Sequence, residues 1–142
     1  MNLKRILTVI ALLLCLVALF GCAQETTLEQ LRDAYIARGA GVDGYEVTEI
    51  SQGDGYSYFS VGILIHAGTG LPGDADVFTE AHLFRFDQKK DAEAARLRNA
   101  ETGVGGECEQ IGNFVLLWNG NDGFDEFTDL YKDVFRKTLK GD

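Results

Sequence analysis

The chain has 142 residues, and 46% of them are hydrophobic, which is enough for one domain with a substantial core. Asp and Glu number 22 against 13 Lys and Arg, so the formal net charge is −9. Phosphates and anionic lipid headgroups repel a surface of that charge, which argues against nucleic-acid binding and against an electrostatic contact with a membrane.

The first 21 residues have the organisation of a secretory signal peptide. Lys4 and Arg5 give a positive start, and residues 6–20 follow without a charged side chain. A basic start, an apolar stretch and a small residue before the cleavage point are typical of such signals. The apolar stretch is shorter than the roughly 20 residues that a helix needs to span a bilayer. We therefore expect this segment to direct export of the rest of the chain.

The segment ends in Leu19-Phe20-Gly21-Cys22. These residues resemble the lipobox of bacterial lipoproteins, in which an aliphatic, a variable and a small residue precede a cysteine. The resemblance implies that Cys22 receives a diacylglycerol thioether and, after cleavage, becomes the first residue of an extracytoplasmic protein anchored to the cell membrane, or to an outer membrane where one exists. The alternative is an uncleaved membrane-spanning helix in which Cys22 is an ordinary thiol.

The lipobox divides the chain into a signal (residues 1–21), a lipidated tether (residues 22–27) and a single domain (residues 28–142). Cys15 lies in the signal and Cys22 carries the lipid, which leaves Cys108 alone in the domain. One thiol forms no intrachain disulfide, so packing must stabilise the domain. We expect Cys108 to be a small, half-buried hydrophobic side chain in a strand.

The domain is predicted to begin with a helix and three strands. Thr26 and Glu29 fit a capping box at a helix start, and apolar residues then recur at helical spacing at Leu28, Leu31 and Tyr35. Alternating or β-branched stretches predict strands over residues 45–51, 56–66 and 77–86. In the second strand one face carries Phe59, Val61, Ile63 and Ile65, and the other carries Tyr56, Tyr58, Leu64 and His66.

The second half is predicted to be a helix, a hairpin and a final helix. Asp87 caps the first of these helices, which runs to about residue 100 with a thin apolar face. Residues 103–110 and 114–119 are the hairpin strands, and Gly112-Asn113 favours a tight turn between them. The last helix covers residues 122–140, with an apolar stripe at Phe124, Phe127, Tyr131 and Val134.

This order, α-β-β-β-α-β-β-α, predicts an α+β fold with a mostly antiparallel sheet of about five strands and helices on one face. The stretches Phe84–Asp87 and Ile111–Leu117, with the helix between them, loosely resemble a β-α-β-β pattern of small bacterial secreted proteins of unknown function. That resemblance carries no catalytic motif and implies no activity.

Known catalytic and metal-binding spacings are missing from the sequence, and we expect no cofactor. His66 and His82 fall about 16 Å apart if His66 pairs near position 77 of the next strand, which is too far for one zinc ion. Glu80 and His82 share a strand face. They are interpreted either as a half-exposed histidine bonded to a carboxylate or as the acid-base pair of an enzyme.

Two acidic clusters raise the question of calcium. One contains Asp74, Asp76 and Glu80, and the other contains Asn119, Asn121, Asp122 and Asp125. Calcium needs several oxygen ligands around one point, and extracellular sites can be weak and still be filled. Neither cluster has the EF-hand spacing, so the alternatives are a solvated loop and a helix N-terminus.

Tyr56 and Tyr58, together with His66, are the candidate binding surface, because they lie opposite the aliphatic face of their strand. Tyrosine suits surfaces that are partly dry and partly wet. The sequence therefore favours a non-catalytic binding or interaction domain for a protein or for a small polar or cationic ligand. The alternatives are an envelope hydrolase that uses Glu80 and His82, and a structural subunit of an envelope complex. The oligomeric state stays open.

Overall fold

The computed structural model describes residues 25–65, 77–102, 106–119 and 125–141. These residues form an α+β fold with a six-stranded antiparallel sheet, which confirms the predicted fold class. The elements are α1 (Leu28–Arg38), β1 (Tyr45–Val47), β2 (Ser51–Gln52), β3 (Tyr56–Ile65), β4 (Val77–Phe86), α2 (Lys89–Thr102), β5 (Glu107–Ile111), β6 (Phe114–Trp118) and α3 (Asp125–Lys140).

The sheet has the strand order β1-β3-β4-β6-β5, and β2 pairs with β3 on the same side as β1. Strands β3 and β4 pair along their whole length, with Tyr56 opposite Phe86 and Ile65 opposite Val77. This register lies within one residue of the predicted one. A slip of one residue would turn every side chain of β4 to the other face, so the register decides which residues share a surface.

The strand predicted over residues 45–51 is divided in two at Thr48. The Thr48 N–H donates to the Ser60 carbonyl (2.9 Å), but the Ser60 N–H donates to the Thr48 hydroxyl (2.8 Å). The Thr48 carbonyl instead accepts from Arg32 Nε of α1 (2.7 Å). A threonine hydroxyl that takes the place of a backbone acceptor competes with the sheet ladder, so β1 ends before Thr48 and β2 begins after it.

One face of the sheet packs against α1 and α3 and forms the core. Alternate side chains of β3, β4 and β6 point to this face, and full burial of each large apolar one contributes about 1.5–3 kcal/mol. The buried core residues are Leu28, Leu31, Tyr35, Phe59, Val61, Ile63, Ala81, Leu83, Phe114, Leu116, Trp118, Tyr131, Val134 and Phe135.

Helix α1 begins one residue later than predicted. Thr27, not Thr26, is the N-cap: its hydroxyl accepts from the Gln30 N–H (3.2 Å), and Gln30 Oε1 accepts from the Thr27 N–H (2.9 Å). Gln30 therefore has the role predicted for Glu29. Either residue suits a capping box, but only this choice places Leu28 at the first helical position.

Helix α2 lies on the opposite face of the sheet, which differs from the expected arrangement with the helices on one face. Arg96 Nε donates to Gln110 Oε1 (3.3 Å), and the Cys108 thiol contacts the Arg96 carbonyl (3.8 Å). Cys108 and Gln110 alternate with the core-facing residues of β5. The helix begins at Lys89, because the predicted cap, Asp87, still extends the sheet by donating its N–H to the Gly55 carbonyl (3.0 Å).

Three tyrosines form a hydrogen-bonded network inside the core. The Tyr35 hydroxyl donates to the Tyr131 carbonyl (2.6 Å), the Tyr45 hydroxyl donates to the Tyr35 carbonyl (2.9 Å), and the Thr79 and Tyr131 hydroxyls are 3.0 Å apart. Burial raises the pKa of Tyr35, Tyr45 and Tyr131, and for Tyr131 the Thr79 hydrogen bond offsets part of the rise. The network joins α1, β1, β4 and α3.

Helix α3 occupies Asp125–Lys140, and the residues 122–124 that were predicted to open it lie outside the described ranges. Tyr131, Val134 and Phe135 are buried and Phe127 is half-buried, in accordance with the predicted stripe. Among the helices of the described ranges, none is both long and apolar enough to cross a bilayer.

Candidate functional site

The face of the sheet opposite the core is only partly covered. Helix α2 lies over β5, β6 and the last residues of β4, whereas β3 and most of β4 have no described helix packed on this side. We call the exposed part the open face; its residues are Tyr56, Tyr58, Ser60, Phe78, Glu80, His82, Phe84 and Phe86. Most of these side chains are half-buried, and Phe78 is 52% exposed.

Four rings of the open face form an aromatic cluster: Tyr56, Tyr58, Phe84 and Phe86. The register places Tyr56 opposite Phe86 and Tyr58 opposite Phe84. The rings of Tyr58 and Phe84 are stacked with centroids 5.7 Å apart, and those of Phe84 and Phe86 are stacked at 6.2 Å. Tyr56 contacts Phe86 at 5.6 Å and Phe84 at 5.9 Å. The strand alternation predicted this placement of Tyr56 and Tyr58, and their binding role stays a prediction.

The aromatic cluster continues into a groove beneath α2. The groove has a volume of about 510 Å³, and its lining is mostly apolar: Phe84, Phe86, Ala95, Cys108, Val115 and Leu117, with Arg98, Asn99 and Thr102 at its polar side. It exists because α2 presents alanines to the sheet. Ala92 is its only buried residue, and Leu97 points outward with 45% exposure. Such small side chains do not fill the space above the rings.

Among the described residues that line the groove, Arg98 is the only charged one. Its guanidinium has no hydrogen-bond or ion-pair partner within the described ranges. By contrast, Arg32 pairs with Glu49 (2.8 Å) and Arg136 pairs with Glu109 (2.7 Å). The groove therefore presents an unneutralised cation next to apolar rings.

A second polar arrangement lies in the middle of the open face. Ser60 is directly opposite His82, and the Ser60 Oγ and His82 Nδ1 atoms are 2.7 Å apart. On the other side of the ring, His82 Nε2 lies 3.5 Å from Glu80 Oε2. A hydroxyl, an imidazole and a carboxylate in sequence are the groups used in nucleophilic catalysis. Ser60 is only 9% exposed, however, and none of the three residues lines the groove.

The remaining predicted site residues are not brought together within the described ranges. Cys22, His66, Asp74 and Asp76 lie outside those ranges, as do Asn121 and Asp122 of the second acidic cluster. Glu80, assigned to the first acidic cluster, is on the open face beside His82. The residues that the structure describes include no group of three or more Asp, Glu, His or Cys side chains able to hold a metal ion.

The sequence analysis missed Ser60 and the groove. Ser60 becomes recognisable only once the register pairs it with His82, because the alternation of β3 alone shows a polar residue between apolar ones. The groove depends on where α2 lies, which its thin apolar face left undetermined. Comparison of the chain with protein-family models, with curated proteins and with solved structures finds no match, so no activity transfers from a relative.

Proposed function

We propose that this protein is a lipid-anchored extracytoplasmic binding protein, and that it contacts a partner protein through the aromatic cluster. The signal-like segment and the lipobox-like residues 19–22 support the anchor. The observation that carries the binding role is the cluster itself, four contacting rings of which Tyr56 and Tyr58 lie on the part of the sheet face that no described helix covers. Contiguous apolar surface of this kind marks interaction sites.

Tyr56 and Tyr58 are suited to the edge of an interface. Each ring packs on a phenylalanine of β4, so its orientation is fixed before a partner arrives. Aromatic side chains are enriched at protein interfaces, where they bury a large area at a small entropy cost. The phenolic hydroxyl remains able to hydrogen-bond to water or to a partner. The domain therefore offers a pre-organised platform.

Site-specific photocrosslinking in cells tests this surface. A photoreactive amino acid at Tyr58 is expected to give a discrete crosslinked product, whereas the same residue at Ile36, which is 42% exposed on α1 behind the core face, is expected to give none. The Tyr56→Ala, Tyr58→Ala double variant should lose the product formed from a crosslinker at Glu80. Equal crosslinking from Tyr58 and Ile36 would show that the open face is not the partner surface.

Metabolic labelling with a radioactive fatty acid tests the anchor separately. The wild-type chain is expected to incorporate label and to lose residues 1–21, while Cys22→Ala does neither. Cys108→Ala is the matched control, since it removes the other cysteine outside the signal. Unchanged processing of the Cys22→Ala chain would rule out the lipobox without bearing on the aromatic cluster.

The Ser60–His82–Glu80 arrangement favours a second candidate function, hydrolysis of envelope esters with Ser60 as nucleophile and His82 as base. This function predicts covalent labelling by a fluorophosphonate probe that is abolished in Ser60→Ala and strongly reduced in His82→Asn. Thr79→Ser preserves a hydroxyl on the neighbouring core face and serves as the control. If the wild-type chain is not labelled, the arrangement is a structural hydrogen-bond chain.

A further inference from the structure

The groove beneath α2 has the size of a small-molecule site. Its volume of about 510 Å³ falls within the range of roughly 300–1,000 Å³ typical of ligand pockets. Its floor consists of Phe84, Val115 and Leu117, and their side chains come from adjacent strands of one rigid sheet. An apolar group that enters displaces water from carbon surface on these two strands, β4 and β6, without any change in the backbone.

Charge narrows the class of ligand. The net charge of the whole chain, −9, favours cations in general, but local groups determine what binds in a confined groove. Within the described part of the chain, the groove lining has one charged residue, Arg98. Asn99 Nδ2 already donates to the Gly106 carbonyl (2.9 Å), and the Thr102 hydroxyl donates to the Arg98 carbonyl (3.0 Å). One N–H of Asn99 remains available, but the charged donor of the lining is the Arg98 guanidinium, which matches a carboxylate.

We propose that the groove binds a free amphipathic carboxylate: its acyl or ring body lies against Phe84, Val115 and Leu117, and its carboxylate pairs with Arg98. This site adjoins the aromatic cluster and shares Phe84 and Phe86 with it, but Tyr56 and Tyr58, on which the proposed partner contact is tested, do not line the groove. Arg98 is exposed at the mouth of the groove, where the apolar floor keeps water from one side of the ion pair and so strengthens it relative to the same pair in bulk water. We expect neither the apolar body nor the carboxylate to bind tightly in the groove without the other.

Cys108 provides a direct measurement of occupancy, because its half-buried thiol lines the groove. The full lipoprotein, reconstituted in phosphatidylcholine vesicles, is treated with a small maleimide in the presence of octanoate. Saturable protection is expected, with labelling about tenfold slower at ten times the dissociation constant. Octanol and octylamine have the same chain without the negative charge, and they are expected to protect far less.

Two variants locate the site. Arg98→Gln is expected to weaken octanoate binding about tenfold or more, since hydrogen bonds to charged groups are the stronger ones. Lys90→Gln, a charge removed from the same helix outside the lining, should leave binding unchanged. Ala95→Phe fills the groove and should abolish protection, while circular dichroism verifies that the fold is retained.

Absence of protection by octanoate in the folded wild-type protein would overturn the proposal. Protection by octanol equal to that by octanoate, or unchanged protection in Arg98→Gln, would also overturn it, because the carboxylate would then have no role. Each result is independent of photocrosslinking from Tyr58. Loss of one function with retention of the other therefore identifies which proposal has failed.

Discussion

Alkaline pH is expected to unfold this domain through its buried tyrosines. Tyr35 is 0% exposed and Tyr131 is 2% exposed. Inside the core, the Tyr35 hydroxyl donates to the Tyr131 carbonyl, and the Tyr131 hydroxyl is hydrogen-bonded to the Thr79 hydroxyl. Burial raises the pKa of both phenols, because the low-polarity core disfavours a phenolate. Ionisation therefore accompanies unfolding.

The sign and size of the effect follow from proton linkage. The folded pKa of each phenol lies above its unfolded value of about 10, so the stabilisation is fully present below about pH 10 and is lost as pH rises toward the folded pKa. Within that window each phenol lowers the unfolding free energy by up to about 1.4 kcal/mol per pH unit. Burial also raises the pKa of Tyr45, so the three phenols together give up to about 4 kcal/mol per unit, a large part of the roughly 5–15 kcal/mol typical of a domain.

Urea unfolding followed by circular dichroism at several pH values measures this slope. Tyr35→Phe is the matched variant: it should lose about 1 kcal/mol at neutral pH, for one missing hydrogen bond, and about a third of the alkaline slope. If the wild-type domain has the same unfolding free energy at about pH 8 and about pH 11, the predicted linkage between tyrosine ionisation and unfolding is refuted. That result would mean that the phenols ionise freely in the folded state.

Two further predictions concern local backbone features. Thr27→Ala should reduce the unfolding free energy by about 1 kcal/mol, whereas Thr26→Ala should change it little; equal effects in thermal unfolding would contradict the observed capping box. Gly106 and Gly112 both have positive φ angles, 78° and 59°, but a Cβ at Gly106 would collide with the Trp118 carbonyl oxygen and one at Gly112 meets open space. Gly106→Ala should therefore cost clearly more than the roughly 1–2 kcal/mol of left-handed strain expected for Gly112→Ala, which urea midpoints can resolve.

Hydrophobic periodicity correctly predicted the elements in which one face is buried in the core. Leu28, Leu31 and Tyr35 are buried as their helical spacing requires, and Phe59 and Val61 are buried as strand alternation requires. These patterns succeed because a single helix stripe or strand face meets one core. They also located Tyr56 and Tyr58 on the opposite side.

The parts that sequence reasoning missed depend on long-range pairing. The side chain of Thr48 interrupts a strand only because Ser60 and Arg32 lie beside it in the fold. The same register brings Ser60 to His82, and a shift of one residue would have hidden one of them in the core. Helix α2 has too few apolar residues for its sequence to specify a face. The groove results from these small side chains, since a helix with larger apolar residues would fill it.

The first described residues fix how a lipid at Cys22 would orient the domain. Glu25 lies 3.7 Å from Arg85 at the end of β4, where the Phe86 N–H also donates to the Asn113 carbonyl (2.9 Å). Three residue steps separate Glu25 from Cys22, a reach of at most about 10 Å. With the proposed lipid on Cys22, the end of the sheet with the Asn113 turn would be nearest the membrane. The opposite end, near Val42, lies roughly 30 Å away along the strands.

Fluorophores at these two ends test the orientation. In a Cys108→Ser background, a label at Asn113→Cys should be quenched by spin-labelled lipid headgroups, whereas one at Val42→Cys should not, because quenching requires close approach. Glu25→Ala removes the contact with Arg85 and should reduce the difference by loosening the tether. Equal quenching at both ends in the otherwise unaltered protein would mean that the domain lies flat or tumbles freely, and that the Glu25 contact does not hold it upright. In that case the open face of the sheet, which carries the aromatic cluster, would face the membrane as often as a partner.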